Sequence, residues 1–356
     1  MPSLKEIKGR INSISSTLAI TSAMKMVASA KLQKAQMAIQ NMLPYERRLY
    51  SMLLDLMGAM NISAAASEDG SVRGSGSAER GFDQSGDRLS LSNRHDLAGM
   101  DGAYSLMAQR EVRKVAIVAF ASNSSLCGAF NSNVIREATA VINEYRASGL
   151  RDSDIVVYSV GRKMAEAMRK LGFPSPADFT KMSDSPSYEA ASALAQELLD
   201  GFVSGRFDKV ELVYNHYKST SSQPTTRQTY LPLSLADATA DIQVGKITDS
   251  ASEPYTDKVA EPVVRQNSPT TETPDLIVEP SKEELIATLL PKVVRLRVFT
   301  TLLDSTAAEH AARTVAMQLA TDNGNDLLQE LTLEYNKGRQ QKITSEILDI
   351  VGGSLQ

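Results

Sequence analysis

Apolar residues recur with a helical period along the first part of the chain. From residue 4 to residue 42 the spacing alternates between three and four, and ten of twelve such positions are apolar. These positions are Leu4, Ile7, Ile11, Ile14, Leu18, Thr21, Lys25, Ala28, Leu32, Ala35, Ile39 and Met42. A period of 3.5 residues held over this length is typical of a coiled-coil seam. We therefore predict one helix over residues 3–58, about 84 Å long, which Pro44 should kink or locally break.

A second helical pattern occupies residues 282–351. Ser281 followed three residues later by Glu284 is a capping box, which marks the start of a helix. Apolar residues then recur at helical spacing: Leu285, Leu289, Val293, Leu296, Phe299, Leu303, and later Met317, Leu328, Leu331, Tyr335, Ile343, Ile347 and Ile350. Three residues make this seam less regular than the first: Pro291, Gly324 and Gly338. Gly352 and Gly353 should end the helix.

Between these helices, residues 112–233 alternate between short apolar runs and amphipathic segments. The apolar runs predict strands over residues 115–120, 155–160, 210–214 and 229–231. The other segments predict helices from Asn131, acting as N-cap, to about Arg146, from Gly161 to Leu171, and from Ser187 to Val203. Strands that alternate with helices imply a partly parallel sheet with helical cover.

Two stretches lack any sustained period. Residues 62–105 are rich in Ser, Gly, Asp and Arg and predict a disordered or weakly ordered insertion. Residues 237–280 hold five prolines and predict a second long loop, with a short hairpin near residues 242–247. The predicted division is an N-terminal coiled-coil helix (1–61), a low-complexity insertion (62–110), a central α/β domain (111–236), an irregular insertion (237–280) and a C-terminal coiled-coil helix (281–356).

The two long helices lie at opposite ends of the sequence, with the α/β unit between them. Antiparallel pairing is the simplest way to bury both seams. The predicted fold is therefore α/β plus a long antiparallel coiled coil, in which the N- and C-terminal helices form a shaft and the central domain forms a foot. Because the second helix is the longer, its C-terminal end should project beyond the pair.

Composition and charge narrow the class of protein. Aromatic residues make up only 5% of the chain, Trp is absent and there are 14 Met, which fits long helices packed on aliphatic side chains. The net charge of -4 gives no argument for nucleic acid. Residues 1–34 nevertheless carry six cationic side chains against one acid, Glu6. This basic arm is either a solvated helix face or a contact for an acidic protein surface, with nucleic acid or lipid less favoured.

Targeting and redox signals are also absent from the sequence. Cys127 is the single cysteine, so an internal disulfide or a cysteine-based metal site is excluded, and a reducing compartment is the simplest inference. The N-terminus reads neither as a signal peptide nor as a transit peptide. No apolar run reaches the ~18 residues that a membrane span needs.

The chain also lacks the patterns of common catalytic sites. No phosphate-binding P-loop is present, and Gly161 is expected to serve only the geometry of a strand-to-helix turn. The histidines, His95, His216 and His310, are too far apart in sequence for a zinc motif. Acidic pairs such as Asp208 and Glu211 are expected at the surface. We therefore expect no catalytic residue, no cofactor and no metal, which favours a mechanical or scaffold role.

Motifs in three parts of the chain resemble one family closely. Residues 20–28 (ITSAMKMVA) and 30–36 (AKLQKAQ) are similar to the N-terminal signature of ATP synthase gamma subunits. Near the other end the similar segments are 309–323 (EHAARTVAMQLATDN), 335–347 (YNKGRQQKITSEI) and 350–353 (IVGG). In the middle, LCGAFN at 126–131 is close to the family's L-C-G-G-L-N, with Ala129 where a Gly is usual.

The resemblance implies the central rotor stalk of a bacterial-type F1Fo ATP synthase. In that family the helical pair threads a ring of three alpha and three beta subunits, in a 3:3:1 ratio with gamma, and the foot sits with the epsilon subunit on the c ring. Proton flow turns the c ring and shaft, and the shaft drives each beta subunit in turn through its states, so that rotation is coupled to ATP synthesis.

The same resemblance implies a subunit without catalytic activity or cofactor, because catalysis and nucleotide binding stay on the alpha/beta ring. It implies a peripheral protein on the cytoplasmic face of the bacterial inner membrane, associated with the membrane only through the Fo sector. No contact with nucleic acid is implied.

The matched motifs also imply which residues contact the alpha/beta ring. Arg339 and Gln340 match positions that hydrogen-bond an acidic beta loop in the family, and an arginine can do so bidentately. The implied contacts are Met24, Lys25, Arg313, Met317, Arg339, Gln340, Thr344 and Glu346. For each of them the alternative is an ordinary solvated helix face. Residues 347–355 are expected to turn in an apolar sleeve, with a packing role as the alternative.

The chain departs from the family pattern in its two insertions. Residues 62–105 and roughly 237–275 are longer than a plain bacterial member needs. Neither contains Cys, so the thiol switch of chloroplast members is not supported. Contact with epsilon, hindrance of reverse rotation and a neutral loop all stay open as roles for them.

Two other classes of function stay open from the residues alone. A free-standing coiled-coil scaffold is the main alternative, and an enzyme built on the central α/β domain is a weaker one. Co-purification separates them, because a rotor brings alpha and beta subunits with it whereas a scaffold stays a monomer or simple homodimer. Turnover by the isolated chain would support the enzyme.

Overall fold

The computed structural model describes residues 3–59, 106–233, 278–279 and 281–353. Apart from residues 106–110 and 278–279, the predicted insertions lie outside the described residues, and so does the hairpin predicted near 242–247. The predicted domain boundaries at these insertions stay predictions. We call the two long helices the shaft and residues 106–233 the foot.

The first shaft helix, α1, runs over Leu4–Ala59. All twelve positions of the predicted seam are buried or half-buried, which confirms the pattern read from the sequence. The local break expected at Pro44 was wrong, since the helix continues through it. A proline removes one helical hydrogen bond. Packing beside it compensates, because Met42 and Leu49 lie in one apolar cluster with Val293 and Leu296 of the opposite helix.

The second shaft helix, α6, runs over Lys282–Gly353 and continues through Pro291. Its predicted cap is confirmed, because the backbone N–H of Glu284 donates to Ser281 Oγ at 3.2 Å. That bond satisfies one of the N–H groups that a helix start leaves without an internal partner.

The two shaft helices pack antiparallel, as predicted. Near the foot, Thr300 Oγ1 donates to Glu46 Oε1 at 3.2 Å, and further along Thr321 Oγ1 donates to Thr21 Oγ1 at 3.1 Å. At the far end Leu4 lies over Gly338. Residues 339–353 therefore extend about 22 Å past this last pairing as a single helix, which confirms the projecting end.

The two glycines that interrupt the apolar pattern of α6 are sockets for side chains of α1. A Cβ placed on Gly324 would lie 2.6 Å from Leu18 Cδ2, and one on Gly338 would lie 3.1 Å from Leu4 Cδ2. Each glycine leaves room for a leucine of α1. In the sequence, these two positions of the seam lack an apolar side chain. In the structure, a leucine of α1 occupies the space at each of them.

The foot is built on four strands and four helices in the described range. The strands are β1 (Val115–Phe120), β2 (Ile155–Val160), β3 (Lys209–Asn215) and β4 (Thr225–Leu231). The helices are α2 (Phe130–Ala147), α3 (Arg162–Lys170), α4 (Thr180–Asp184) and α5 (Tyr188–Val203), with a 3-10 turn at Asp152–Asp154. The sheet order is β2-β1-β3-β4, and only β4 runs antiparallel to its neighbour. The partly parallel sheet is thus confirmed, although α4 and the 3-10 turn were not predicted.

One predicted cap in the foot was wrong. Asn131 does not precede α2; the helix starts at Phe130, and Ala129 stands before it. The amide of Asn131 binds the end of β1 instead. Its Oδ1 accepts from Ser122 N at 3.0 Å, and its Nδ2 donates to Ser122 Oγ at 2.8 Å. The Asn131 side chain therefore binds Ser122 instead of capping the helix.

The two faces of the sheet are covered by different helices. On one face, Val134 and Val141 of α2 pack with Met164 and Met168 of α3. The other face is covered by α5 and by the shaft helix α6. From α6 this second cluster takes Ile286, Leu290, Val294, Val298 and Leu302. The core of the foot therefore includes the lower part of the shaft.

Substitution of Gly161 tests the turn between β2 and α3. Its φ is 96°, and a Cβ there would lie 2.0 Å from the backbone oxygen of Ala121. We expect Gly161→Ala to lower the free energy of unfolding by more than about 3 kcal/mol, since backbone strain of ~1–2 kcal/mol adds to the clash. Chemical denaturation of the variant and the unchanged chain measures this difference in the free energy of unfolding.

Gly149→Ala is the matched control. Gly149 has nearly the same positive φ, 97°, but open space within 4 Å of its Cβ position. Only the strain of about 1–2 kcal/mol is expected there. Equal losses at the two positions would refute the steric role of Gly161.

Candidate partner-contact surfaces

The projecting end of α6 presents four of the predicted contact residues to solvent. Arg339, Gln340, Thr344 and Glu346 are all exposed there. Thr344 Oγ1 donates to the backbone oxygen of Gln340 at 2.9 Å, and Glu346 lies 3.6 Å from Lys342 Nζ. Both are contacts within the same helix, so these side chains can turn toward a partner without breaking any contact to the foot.

Apolar side chains on the same end are also left in solvent. They are Ile343, Ile347, Leu348, Ile350 and Val351, and the exposure of Ile350 reaches 72%. Exposed apolar patches of this kind mark interaction sites. The arrangement fits the apolar sleeve predicted for this end.

The other four predicted residues lie further down the shaft. Met24 and Lys25 are half-buried against α6, and Met317 is buried. Arg313 is about 39 Å along the helix from Arg339. The structure therefore brings four of the eight residues together at the projecting end and leaves the other four in a separate region.

Arg313 is engaged inside the chain. Its Nη1 donates to Glu309 Oε1 at 2.6 Å and its Nη2 donates to Ser124 Oγ at 2.7 Å, and only 11% of its side chain is exposed. Ser124 belongs to the loop after β1. Arg313 thus joins the shaft to the carboxyl edge of the sheet.

The loop that contains the LCGAFN motif rests on the shaft at the same place. Cys127 and Phe130 are buried against Ala308 of α6, and Gly128 faces Ala316. Leu126 has a positive φ of 66°, which is rare for a residue other than glycine. The motif residues therefore fix the loop to the shaft.

Sequence reasoning missed a second joint between foot and shaft. His216 and Tyr217, which follow β3, both contact Asp304 of α6, and Tyr217 also contacts Gln36 of α1. These polar residues stand singly in the sequence, and the only available signal was a histidine two residues after a predicted strand.

The expectation that Glu211 lies at the surface was wrong. It is 1% exposed on β3, and it accepts hydrogen bonds from Arg227, Lys209 and Tyr145 at 2.7, 2.7 and 2.6 Å. Burial alone would raise the pKa of this carboxyl, but the three donors outweigh it and hold the pKa below its ordinary value. A buried carboxylate with this many donors is a structural ion cluster that ties β3 to β4 and α2.

Comparison with known proteins places the chain in a family. The model of the ATP synthase family matches residues 3–355. The ATP synthase gamma chain of Phocaeicola vulgatus is 47% identical over 355 residues, which cover 100% of both chains. The chain belongs to the ATP synthase gamma chain family. The gamma chain of Bacteroides thetaiotaomicron is 45% identical over 356 residues, again with 100% of both chains covered.

The fold is also found in a solved assembly. A cryo-EM structure of the Euglena gracilis mitochondrial ATP synthase, titled OSCP/F1/c-ring in rotational state 3, contains a chain with a TM-score of 0.52 and 20% identity. The match covers 99% of this chain and 93% of that one.

Membership confirms the family read from the terminal motifs and the role as a central stalk. A gamma chain is a non-catalytic subunit of the synthase, as expected. Within the residues that the structure describes, none of the helices is both long and apolar enough to cross a membrane.

The Arg313–Glu309 pair is expected to stabilise the chain. Glu309 is largely buried, and burial raises the pKa of its carboxyl while Arg313 acts against this rise. Arg313→Met leaves the carboxylate without its cation, so we expect the free energy of unfolding to fall by about 3 kcal/mol. Chemical denaturation of the full chain measures the change.

An exposed pair serves as control for this prediction. Lys342 and Glu346 are 66% and 62% exposed, so Lys342→Met should cost less than about 1 kcal/mol. Arg313→Met combined with Glu309→Met should recover most of the loss, because both charges are then removed. A double variant as unstable as the single one would contradict the ion-pair explanation.

His310 gives a prediction about pH. Burial, together with Arg313 and Lys31, lowers its pKa from 6.5 to about 4. Its buried Nδ1 has no hydrogen-bond partner within the described part of the chain. Between these values the unfolded chain binds a proton that the folded chain does not, so the free energy of unfolding should fall as the pH drops from 6.5 toward 4.

His310→Gln removes this contribution. Denaturation curves of the variant and the unchanged chain at about pH 7.5 and pH 5 isolate it, since all other groups titrate alike in both. We expect the stability difference to shift in favour of the variant at the lower pH. A difference that does not depend on pH would contradict a depressed pKa.

Proposed function

We propose that this chain is the central rotor of a bacterial F1Fo ATP synthase. Its shaft stands inside a ring of three alpha and three beta subunits, and its foot rests with an epsilon subunit on the c ring. Proton-driven rotation of the c ring then turns the shaft and couples to ATP synthesis on the ring. The subunit is peripheral, on the cytoplasmic face of the inner membrane.

The observation that carries the proposal is the continuity of α6. One helix covers the sheet of the foot through Ile286 and Leu302, pairs with α1 along the shaft, and ends in the exposed segment after Gly338. A turn applied to the foot therefore reaches the far end through one covalent element. Support also comes from the Euglena assembly of F1 with the c-ring, which contains a chain with this fold.

The uneven cross-section of the shaft fits the task of a rotor. A part that biases three identical partners differently must present different contacts to each, because only contacts that differ between states shift an equilibrium. Two helices up to Gly338 and a single one beyond it cannot present the same surface in every direction.

We assign the coupling contact to the exposed end of α6. Arg339 and Gln340 are free to reach an acidic loop of a beta subunit, and the guanidinium can bind a carboxylate through two hydrogen bonds. Thr344 and Glu346 lie one to two turns further along the same helix. The apolar side chains beyond them suit a sleeve in which few polar contacts hinder rotation.

For the four residues lower on the shaft, a contact with the alpha/beta ring is inferred from the family resemblance alone. Met24 and Lys25 are half-exposed and offer part of their surface to a partner. Arg313 and Met317 are largely covered within the chain, so a contact from them would involve only their edges.

Arg339→Ala with Gln340→Ala tests the assignment. In the assembled complex we expect ATP-driven proton pumping to fall by about tenfold, since charge-assisted hydrogen bonds contribute ~1.5–3 kcal/mol. Acridine-dye quenching in membrane vesicles measures pumping, and subunit ratios in the purified complex measure assembly.

Arg169→Ala is the matched control, because Arg169 is an exposed helical arginine of the foot. It should leave pumping close to that of the unchanged complex. Normal pumping and assembly after the double substitution would overturn the coupling role of the tip, and failure of the unchanged chain to co-purify with alpha and beta subunits would overturn the rotor.

A further inference from the structure

The connection between β3 and β4 reaches from the foot to both shaft helices. Asp304 of α6 holds it on one side: its Oδ1 accepts from Tyr217 N at 2.8 Å, and its Oδ2 lies 2.6 Å from His216 Nδ1. On the other side Gln36 of α1 donates from Nε2 to the hydroxyl oxygen of Tyr217 at 2.6 Å. We call Gln36, His216, Tyr217 and Asp304 the clasp.

The ring of Tyr217 fills the point where three parts of the molecule meet. It packs on a cluster between the shaft helices that includes Leu32, Ala35 and Ala311, and also on the cluster of Cys127 and Ala308. One foot side chain thus contacts α1, α6 and the loop before α2.

The clasp is braced by the sheet behind it. Asn215, the last residue of β3, donates from Nδ2 to Phe130 O at 3.0 Å and accepts from Thr225 Oγ1 at 2.7 Å. The next residue, His216, donates its backbone N–H to Pro224 O at 2.9 Å. These bonds hold the connection to the strands on both sides, so it moves with the foot.

The two shaft helices are attached to the foot differently. α6 is part of the core of the foot, whereas α1 joins that core through Leu53 and Leu56 near its end. Gln36 lies about 26 Å further along α1 from Leu53. At its level Leu32, Ala35 and Ile39 of α1 pack against Ala307 and Ala311, and this alanine seam on α6 interlocks less than a row of leucines would.

We propose that the clasp is a second anchor that keeps α1 in angular register with the foot under load. Directional hydrogen bonds at Tyr217 supply at this level the resistance to rolling that the alanine seam lacks. Gln36, Tyr217 and Asp304 are then positioning residues for coupling, through α1, and contact no partner themselves. The inference rests on the proposed rotor function and adds to it how torque enters the first helix.

Removal of the tyrosine hydroxyl is the sharpest test. Tyr217→Phe keeps the ring and its packing but deletes the bond to Gln36, and Gln36→Leu deletes the same bond from the other side. In the complete complex in membrane vesicles, we expect the steady proton gradient built by ATP hydrolysis to fall at least about threefold, the scale of one hydrogen bond. The rate of ATP hydrolysis without a gradient should stay within about twofold.

Two control variants separate a mechanical role from general damage. Tyr145→Phe also removes a buried hydroxyl bond, that to Glu211, but on the side of the sheet away from the shaft; it should leave the gradient unchanged. Gln36→Glu keeps an acceptor for the hydroxyl of Tyr217 and should restore the gradient that Gln36→Leu loses. This pair keeps the test decisive if Tyr217→Phe does not assemble.

Each outcome of these measurements either supports or overturns the clasp or the rotor function. A lower gradient with preserved hydrolysis in Tyr217→Phe or Gln36→Leu, and normal behaviour of Gln36→Glu and Tyr145→Phe, supports the clasp. Full gradients in all variants, or a parallel loss of hydrolysis and pumping, overturn it while leaving the rotor intact. An unchanged complex that hydrolyses ATP without pumping overturns the proposed function itself.

Discussion

The burial of one stripe of α6 in the foot is the interaction on which the molecule depends. The stripe from Ile286 to Leu302 closes one face of the sheet and at the same time starts the shaft. Each such apolar side chain contributes about 1.5–3 kcal/mol when buried. The foot and α6 therefore share a core, and neither can turn without the other.

The same helix occupies the place where a doubly wound fold would bind a ligand. In doubly wound folds, ligands bind outside the carboxyl ends of the strands, at the point where strand order reverses. Here β1 and β3 are neighbours at that point, and their ends meet Arg313 and Asp304 of α6. The polar groups that would face a ligand cleft hold the shaft, and Ala308 closes the space between them.

Periodic features were readable from the sequence and solitary ones were not. The seam of α1 has twelve positions over residues 4–42, so a single Pro44 could not hide the helix. The effect of Pro44 was overestimated because tertiary packing holds the helix on both sides of it. The bonds from His216 to Asp304 and from Arg313 to Ser124 join residues 88 and 189 apart in sequence. No local pattern predicts such a partner. The contact residues at the projecting end were predicted from the motif resemblance. Exposure could not have identified them, because residues 339–348 are all exposed.

The antiparallel register has a consequence for how such chains can vary in length. Each step along α1 corresponds to one step back along α6, from Thr21 opposite Thr321 to Leu4 opposite Gly338. A deletion in one helix would slide every later leucine away from its socket unless the other helix lost an equal number of residues on the same side of the foot. Viable length changes in the paired region should thus come as matched heptads in two distant parts of the gene. The overhang over residues 339–353 is exempt from this rule, so within the described part of the shaft it can lengthen or shorten independently.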